Sequence, residues 1–296
     1  MLTGIVSVQL GAGLAGRMFS QVAAAGITGV RLWWAAAILA AVGGRGLAAA
    51  VRAIIANRAW RDAAVVLAFG VTLGVMNYSI YQSFARIPLG VAVTIEFLGP
   101  LAVAVASSRR LVDAVWVVLA GAGVALLTRG GFAGISGGAA LAGVVFALVA
   151  AATWAAYILL SRSTGQRFGG SSGLVIAMLV AAVVVTPAAI ADSGPALLRP
   201  GVLAAGLGIG LLSSVIPYRL ELEALRRVPA RVFGIWMSLE PAVAALVGLI
   251  VLGEALAARQ WLAIACVTVA SAGAARGSPR DHRAEPGTGM PQPPAS

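Results

Sequence analysis

Apolar residues run along this chain in long continuous stretches, separated by short polar or arginine-rich joints. The stretches do not alternate residue by residue. A transmembrane β-barrel would show segments of about ten residues with alternating hydrophobicity. A helix needs about 20 consecutive apolar residues to cross a bilayer. Ten such helices are predicted, at 2–22, 27–44, 63–84, 88–107, 112–128, 139–160, 172–191, 202–222, 232–252 and 258–275. A Gly/Ser-rich joint at 130–138 falls near the midpoint. Residues 277–296 are rich in Pro, Gly and charge, the composition of a disordered tail. The fold class expected is all-α integral membrane.

Composition agrees. Of the 296 residues 60% are hydrophobic and 10% charged, with a mean hydropathy of +0.96. A soluble domain carries about 25% charged residues, so lipid is the solvent for most of this chain. The net charge of +11 comes from 21 basic residues, all of them Arg. With a cytoplasmic N-terminus, 15 of these fall in inner joints and the C-terminal tail, and 4 (Arg86, Arg129, Arg199 and Arg259) in outer joints. That is the positive-inside bias of a plasma-membrane protein with both termini in the cytoplasm. It accounts for the basic charge without a nucleic-acid partner. The single Cys266 permits no internal disulfide.

Two of the predicted spans share a pattern. Arg86, Pro88 and Pro100 are matched by Arg227, Pro229 and Pro241, each 141 residues later (227 minus 86). The repeating unit is thus five helices, 1–130 and 139–276. An odd number of crossings inverts the second copy relative to the first. Inverted repeats mark secondary transporters, whose sites lie near the midplane between the repeats.

Polar residues inside these spans are the candidates for chemistry. Glu96 and Glu240 are carboxyls at membrane depth, where burial is costly and function is the default reading. A carboxyl that gains and loses a proton suits a transport cycle, so both are proton-coupling candidates. Simple hydrogen bonding between helices is the competing reading. Pro100 and Pro241 remove a backbone donor and free the carbonyls of Glu96 and Met237, which points to helix kinks. Arg17 and Arg31 could hold a substrate carboxylate, pair with the glutamates or snorkel to headgroups. Asn77, Tyr78, Tyr81 and Gln82 form a polar patch, with Asn77 and Tyr81 on one face at i, i+4. Gln9 precedes Arg17 by eight residues, and Trp236 lies deep enough to line a cavity. Gly70/Gly74 and Gly206/Gly210 are small-residue pairs that favour close helix packing. Arg219, Glu221 and Glu223 could form a gate network, though a solvated helix end explains them equally. His282 lies in the tail. No P-loop, H-E-x-x-H or G-x-S-x-G pattern occurs, so no cofactor, metal or catalytic residue is expected.

These features resemble a known family. The pattern is similar to the EamA domain of the drug/metabolite transporter superfamily, which implies ten helices in two inverted five-helix repeats. Residues 6–15, 25–32, 212–218, 228–235 and 237–243 are similar to its RhtA-like threonine/homoserine exporter branch. That branch carries a Lys in its first helix where this chain has Arg17, and Arg keeps its proton. The resemblance implies secondary export of a small-molecule substrate, with amino acids as the first expectation and proton antiport as the coupling. Drugs or lipid precursors are the alternative cargo, and a membrane-embedded enzyme or a scaffold the alternative class. A monomer and a homodimer are both compatible with the sequence.

Overall fold

The computed structural model describes residues 1–107, 113–128, 137–168, 171–217, 220 and 230–277. The joint at 129–136, the Arg219–Glu221–Glu223 group and the tail with His282 lie outside the described residues. Among those described, every regular element is helical. In hydrocarbon each backbone donor and acceptor must be satisfied within the segment, and a helix does so locally.

The elements are α1 (Leu2–Met18), α2 (Ala24–Ala56), α3 (Trp60–Phe84), α4 (Leu89–Glu96), α5 (Leu98–Ala106), α6 (Asp113–Thr128), α7 (Gly137–Arg167), α8 (Ser172–Ser193), α9 (Pro200–Gly210), α10 (Ala230–Met237), α11 (Glu240–Val247) and α12 (Ala258–Gly277). A 3₁₀ turn, Gly194–Leu198, joins α8 to α9. π-helical turns follow α9 at Leu211–Val215 and α11 at Gly248–Leu252. Six segments are long and apolar enough to cross a bilayer: Ala24–Gly43, Trp60–Phe84, Leu89–Ala106, Gly137–Arg167, Ser172–Leu198 and Val232–Leu252. The protein is an all-α, multi-pass membrane protein.

Several boundaries differ from the hydropathy reading: α1 ends at Met18 and not at 22, and α7 runs on to Arg167 and not 160. α2 does not stop at Gly43 and Gly44 but runs on to Ala56. Ala and Leu keep helix propensity high there, and no Pro intervenes. The span predicted at 88–107 is two helices meeting at Phe97. The span predicted at 232–252 is interrupted at Ser238 and Leu239 and ends in a π turn. Each interruption lies two to three residues before a proline, Pro100 or Pro241, which cannot donate to the carbonyl four residues back.

The core is built by α3 on α7 and α8, α2 on α8 and α9, α6 on α12, and α4 on α11. Both G-x-x-x-G pairs sit at such contacts. Gly70 faces Val180 and Ala177 of α8, and Gly206 faces Val30 of α2.

Candidate functional site

The two helix interruptions place two carboxyls. Glu96 is the last residue of α4 and Glu240 the first of α11, and both are buried. They align three residues apart in the repeat, yet they come within electrostatic reach of each other. The crossing of α4 on α11 makes this possible. A Cβ on Gly90 would stand 2.6 Å from both Cα and Cβ of Ala245, so a glycine is needed for the backbones to approach. From α1, Gln9 joins them: its Nε2 donates to Glu240 Oε1 at 3.0 Å. Gln9 is 2% exposed, and its own Oε1 has no hydrogen-bond partner. Position on the helix separates the two acids. A helix N-terminus stabilises negative charge and a C-terminus does not. Glu240 stands at such an N-terminus and Glu96 at a C-terminus.

A second cluster surrounds Arg31 of α2, which is 3% exposed. One terminal nitrogen donates to Ser214 Oγ at 3.3 Å and the other to Asn77 Oδ1. The guanidinium lies 4.8 Å from the centroid of the Tyr81 ring. Asn77 is fixed in turn by donating from Nδ2 to the Leu73 carbonyl at 2.8 Å. Arg31 Nε has no partner. Every group bonded to this buried cation is neutral. The ion pair found among the described residues, Asp62 with Arg167, is exposed and elsewhere.

The π turn Leu211–Val215 links the clusters. It supplies Ser214 to Arg31, and its Leu212 carbonyl accepts the Ser7 hydroxyl of α1 at 2.7 Å. α1 also carries Gln9. π turns inside helices recur at functional sites because they free backbone groups and redirect side chains.

The remaining sequence candidates lie apart. Gln82 is buried and accepts from Arg86 through its carbonyl and Oε1, both at 2.6 Å. Arg86 lies 5.0 Å from the ring centroid of Phe146, which also receives Tyr78 edge-on at 6.1 Å. Arg17 is exposed at the end of α1, and its Nε donates to the Val251 carbonyl at 2.9 Å. Trp236 is 38% exposed and has no place in either cluster. Ser7 and Ser214 were not singled out as site residues from sequence, because a lone Ser or the Ser213–Ser214 pair in an apolar run carries no periodic signal. Glu254 was not singled out either, because it follows a glycine at a span's end.

Nearly the whole chain has known relatives. The profile of the family described as "EamA-like transporter family" matches residues 141–275. Threonine/homoserine exporter RhtA of Salmonella typhimurium is 41% identical over 284 residues, and that of Escherichia coli K12 is 42% identical over 282. Each alignment covers 92% of this chain and 89% of the relative. The uncharacterized transporter YwfM of Bacillus subtilis is 31% identical over 125 residues, 42% of each chain. A crystal structure of a protein only 19% identical superposes with a TM-score of 0.61, covering 93% of this chain and 96% of that one, and speaks for the fold alone. With relatives this similar along nearly its whole length, the chain belongs to the EamA-like transporter family as an RhtA-like member, and is a transporter of small molecules rather than an enzyme.

Proposed function

We propose that this protein is a secondary active exporter of small amino acids, threonine and homoserine first, in a bacterial plasma membrane. One observation carries the substrate class: a buried guanidinium, Arg31, whose bonded partners are all neutral. A buried charge of this kind is costly unless an anion meets it. An α-amino acid offers a carboxylate for Arg31 and an ammonium for Gln9 and Glu240. The RhtA relatives named as threonine/homoserine exporters supply the same substrate class.

The cycle proposed is alternating access by two inverted five-helix repeats, 1–130 and 139–276, with both termini cytoplasmic. The packing supports this reading. α3 on α7 answers to α1 on α9, α3 on α8 to α2 on α9, and α4 and α5 on α7 to α11 on α1. The pairs α2 with α8, α4 with α11, and α6 with α12 map onto themselves when the halves are exchanged. The family match over 141–275 coincides with the second repeat.

Coupling falls to the carboxyl pair, since two neighbouring acids in a site of low dielectric do not both stay ionised. Glu96 carries the exchanged proton, and Glu240 remains the carboxylate that orients Gln9 and receives the ammonium. Ligand competition on the reconstituted protein tests the substrate class. Threonine and homoserine should compete with each other, whereas threonine methyl ester, which lacks the carboxylate, and bulky organic cations should not. Equal competition by the ester would remove Arg31 from the binding role.

A further inference from the structure

Glu254 belongs to neither cluster. The chain leaves the π turn Gly248–Leu252 through Gly253, whose φ of +72° is a left-handed conformation suited to glycine. The Glu254 amide bonds back to the Gly248 carbonyl at 3.1 Å. Its carboxylate then crosses to the first half of the chain, where Oε2 accepts the Leu89 N–H at 2.8 Å. Leu89 is the first residue of α4, whose opening N–H groups have no partner within the helix. A carboxylate there is favoured by both the free donor and the helix dipole. Gly248 leaves the room for it, because a Cβ on that residue would lie 2.5 Å from Glu254 Oε2.

The same turn is fastened a second time. Arg17, at the end of α1, donates to the Val251 carbonyl, and Leu252 lies against Gly16. Ala12, Leu89, Val93, Ala244 and Val247 form an apolar cluster beneath these contacts. α1 and α4 belong to the first half of the chain and the turn to the second. Separating the halves at this end must break both fastenings.

We propose that Glu254 is the latch of this mouth of the transporter, a positioning residue whose carboxylate holds the start of α4 against the turn after α11 and releases it when the mouth opens. In the orientation proposed above this is the outer mouth. The inference rests on the alternating-access reading, but its test needs no substrate, so a wrong substrate leaves the result standing.

The test places a thiol at buried Val93 (Val93→Cys with Cys266→Ser) in the full-length protein in lipid nanodiscs. Its labelling rate by a water-soluble maleimide is then measured. Glu254→Ala removes the latch, and Gly248→Ala displaces it sterically. Each should speed labelling about tenfold or more, the equivalent of one charge-assisted hydrogen bond. Glu254→Gln keeps an acceptor for Leu89 and should fall between them and the unaltered latch. Met178→Cys, in a separate buried cluster on α8, should stay protected throughout. Unchanged labelling at position 93 in both latch-breaking variants would overturn the proposal. So would equal exposure at position 178, which would make Glu254 a residue of the fold and not of the mouth.

Discussion

Substituting Arg31 by Lys keeps the buried charge and removes its geometry. Arg31 reaches Ser214 and Asn77 with separate nitrogens while lying over Tyr81. An ammonium is a point charge on a flexible stem and cannot hold both partners and the ring face together. Lys keeps one hydrogen bond and part of the ring contact, so about one charge-assisted bond is lost, worth ~1.5–3 kcal/mol. If that geometry presents the cation to a substrate carboxylate, KM for threonine should rise roughly 10- to 100-fold at 1.4 kcal/mol per decade. Arg31→Gln removes the charge and should abolish saturable threonine transport. It should not unfold the protein, because no buried acid is bonded to Arg31 and none is orphaned by its loss. The assay is the initial rate of labelled threonine flux into proteoliposomes under a fixed pH gradient, with size-exclusion profile and Tm recorded for each variant. A folded Arg31→Lys protein with KM within twofold of the parent would refute this reasoning, as would a transporting Arg31→Gln protein.

Three further outcomes are expected. A gradient of one pH unit drives about tenfold accumulation if one proton exchanges per substrate; Glu96→Gln should abolish that accumulation while leaving threonine exchange at equal pH, which isotope counterflow measures. Gly90→Ala should lower stability by ~1–3 kcal/mol through overpacking, seen as a fall in Tm, because its Cβ would meet the Ala245 backbone at 2.6 Å. Burial pushes the Glu254 carboxyl up from the ordinary glutamate range, and the Leu89 amide partly offsets this. A raised carboxyl takes its proton at higher pH than an ordinary glutamate, so labelling at position 93 should increase as pH falls. The increase is read relative to the same thiol in Glu254→Gln, which has no proton to gain. The other charged groups carried by the elements around Glu254 are Arg17 on α1, Glu96 on α4, Glu240 on α11, and Arg259 and Arg276 on α12.

Much of the fold was legible because lipid makes sequence and structure speak the same language: a long apolar run is a helix. The prolines flagged at 100 and 241 stand just after the helix interruptions for a reason readable from one missing N–H. The site residues were legible as polar exceptions, but their partners were not. Gln9 and Arg17 lie eight residues apart, and at about 100° per residue they diverge by roughly 80° on the helix. In the structure Gln9 turns to Glu240, and Arg17 goes to the Val251 carbonyl at the helix end. The contact of Glu240 with Gln9 spans 231 positions and that of Glu254 with Leu89 spans 165. No local periodicity encodes such pairs. Glu254 illustrates the limit: a carboxylate after a glycine at a span's end reads as a solvated joint until the start of α4 is seen beside it.

The most direct test of the central claim is flux of labelled threonine and homoserine across liposomes holding the pure protein, with and without an imposed pH gradient. The account predicts saturable, gradient-dependent movement of both amino acids that collapses when a protonophore equalises pH. Movement indifferent to the gradient would contradict proton coupling through Glu96 and Glu240. A folded protein that moves bulky organic cations but neither amino acid would contradict the reading of Arg31 and the carboxyl pair as an amino-acid site.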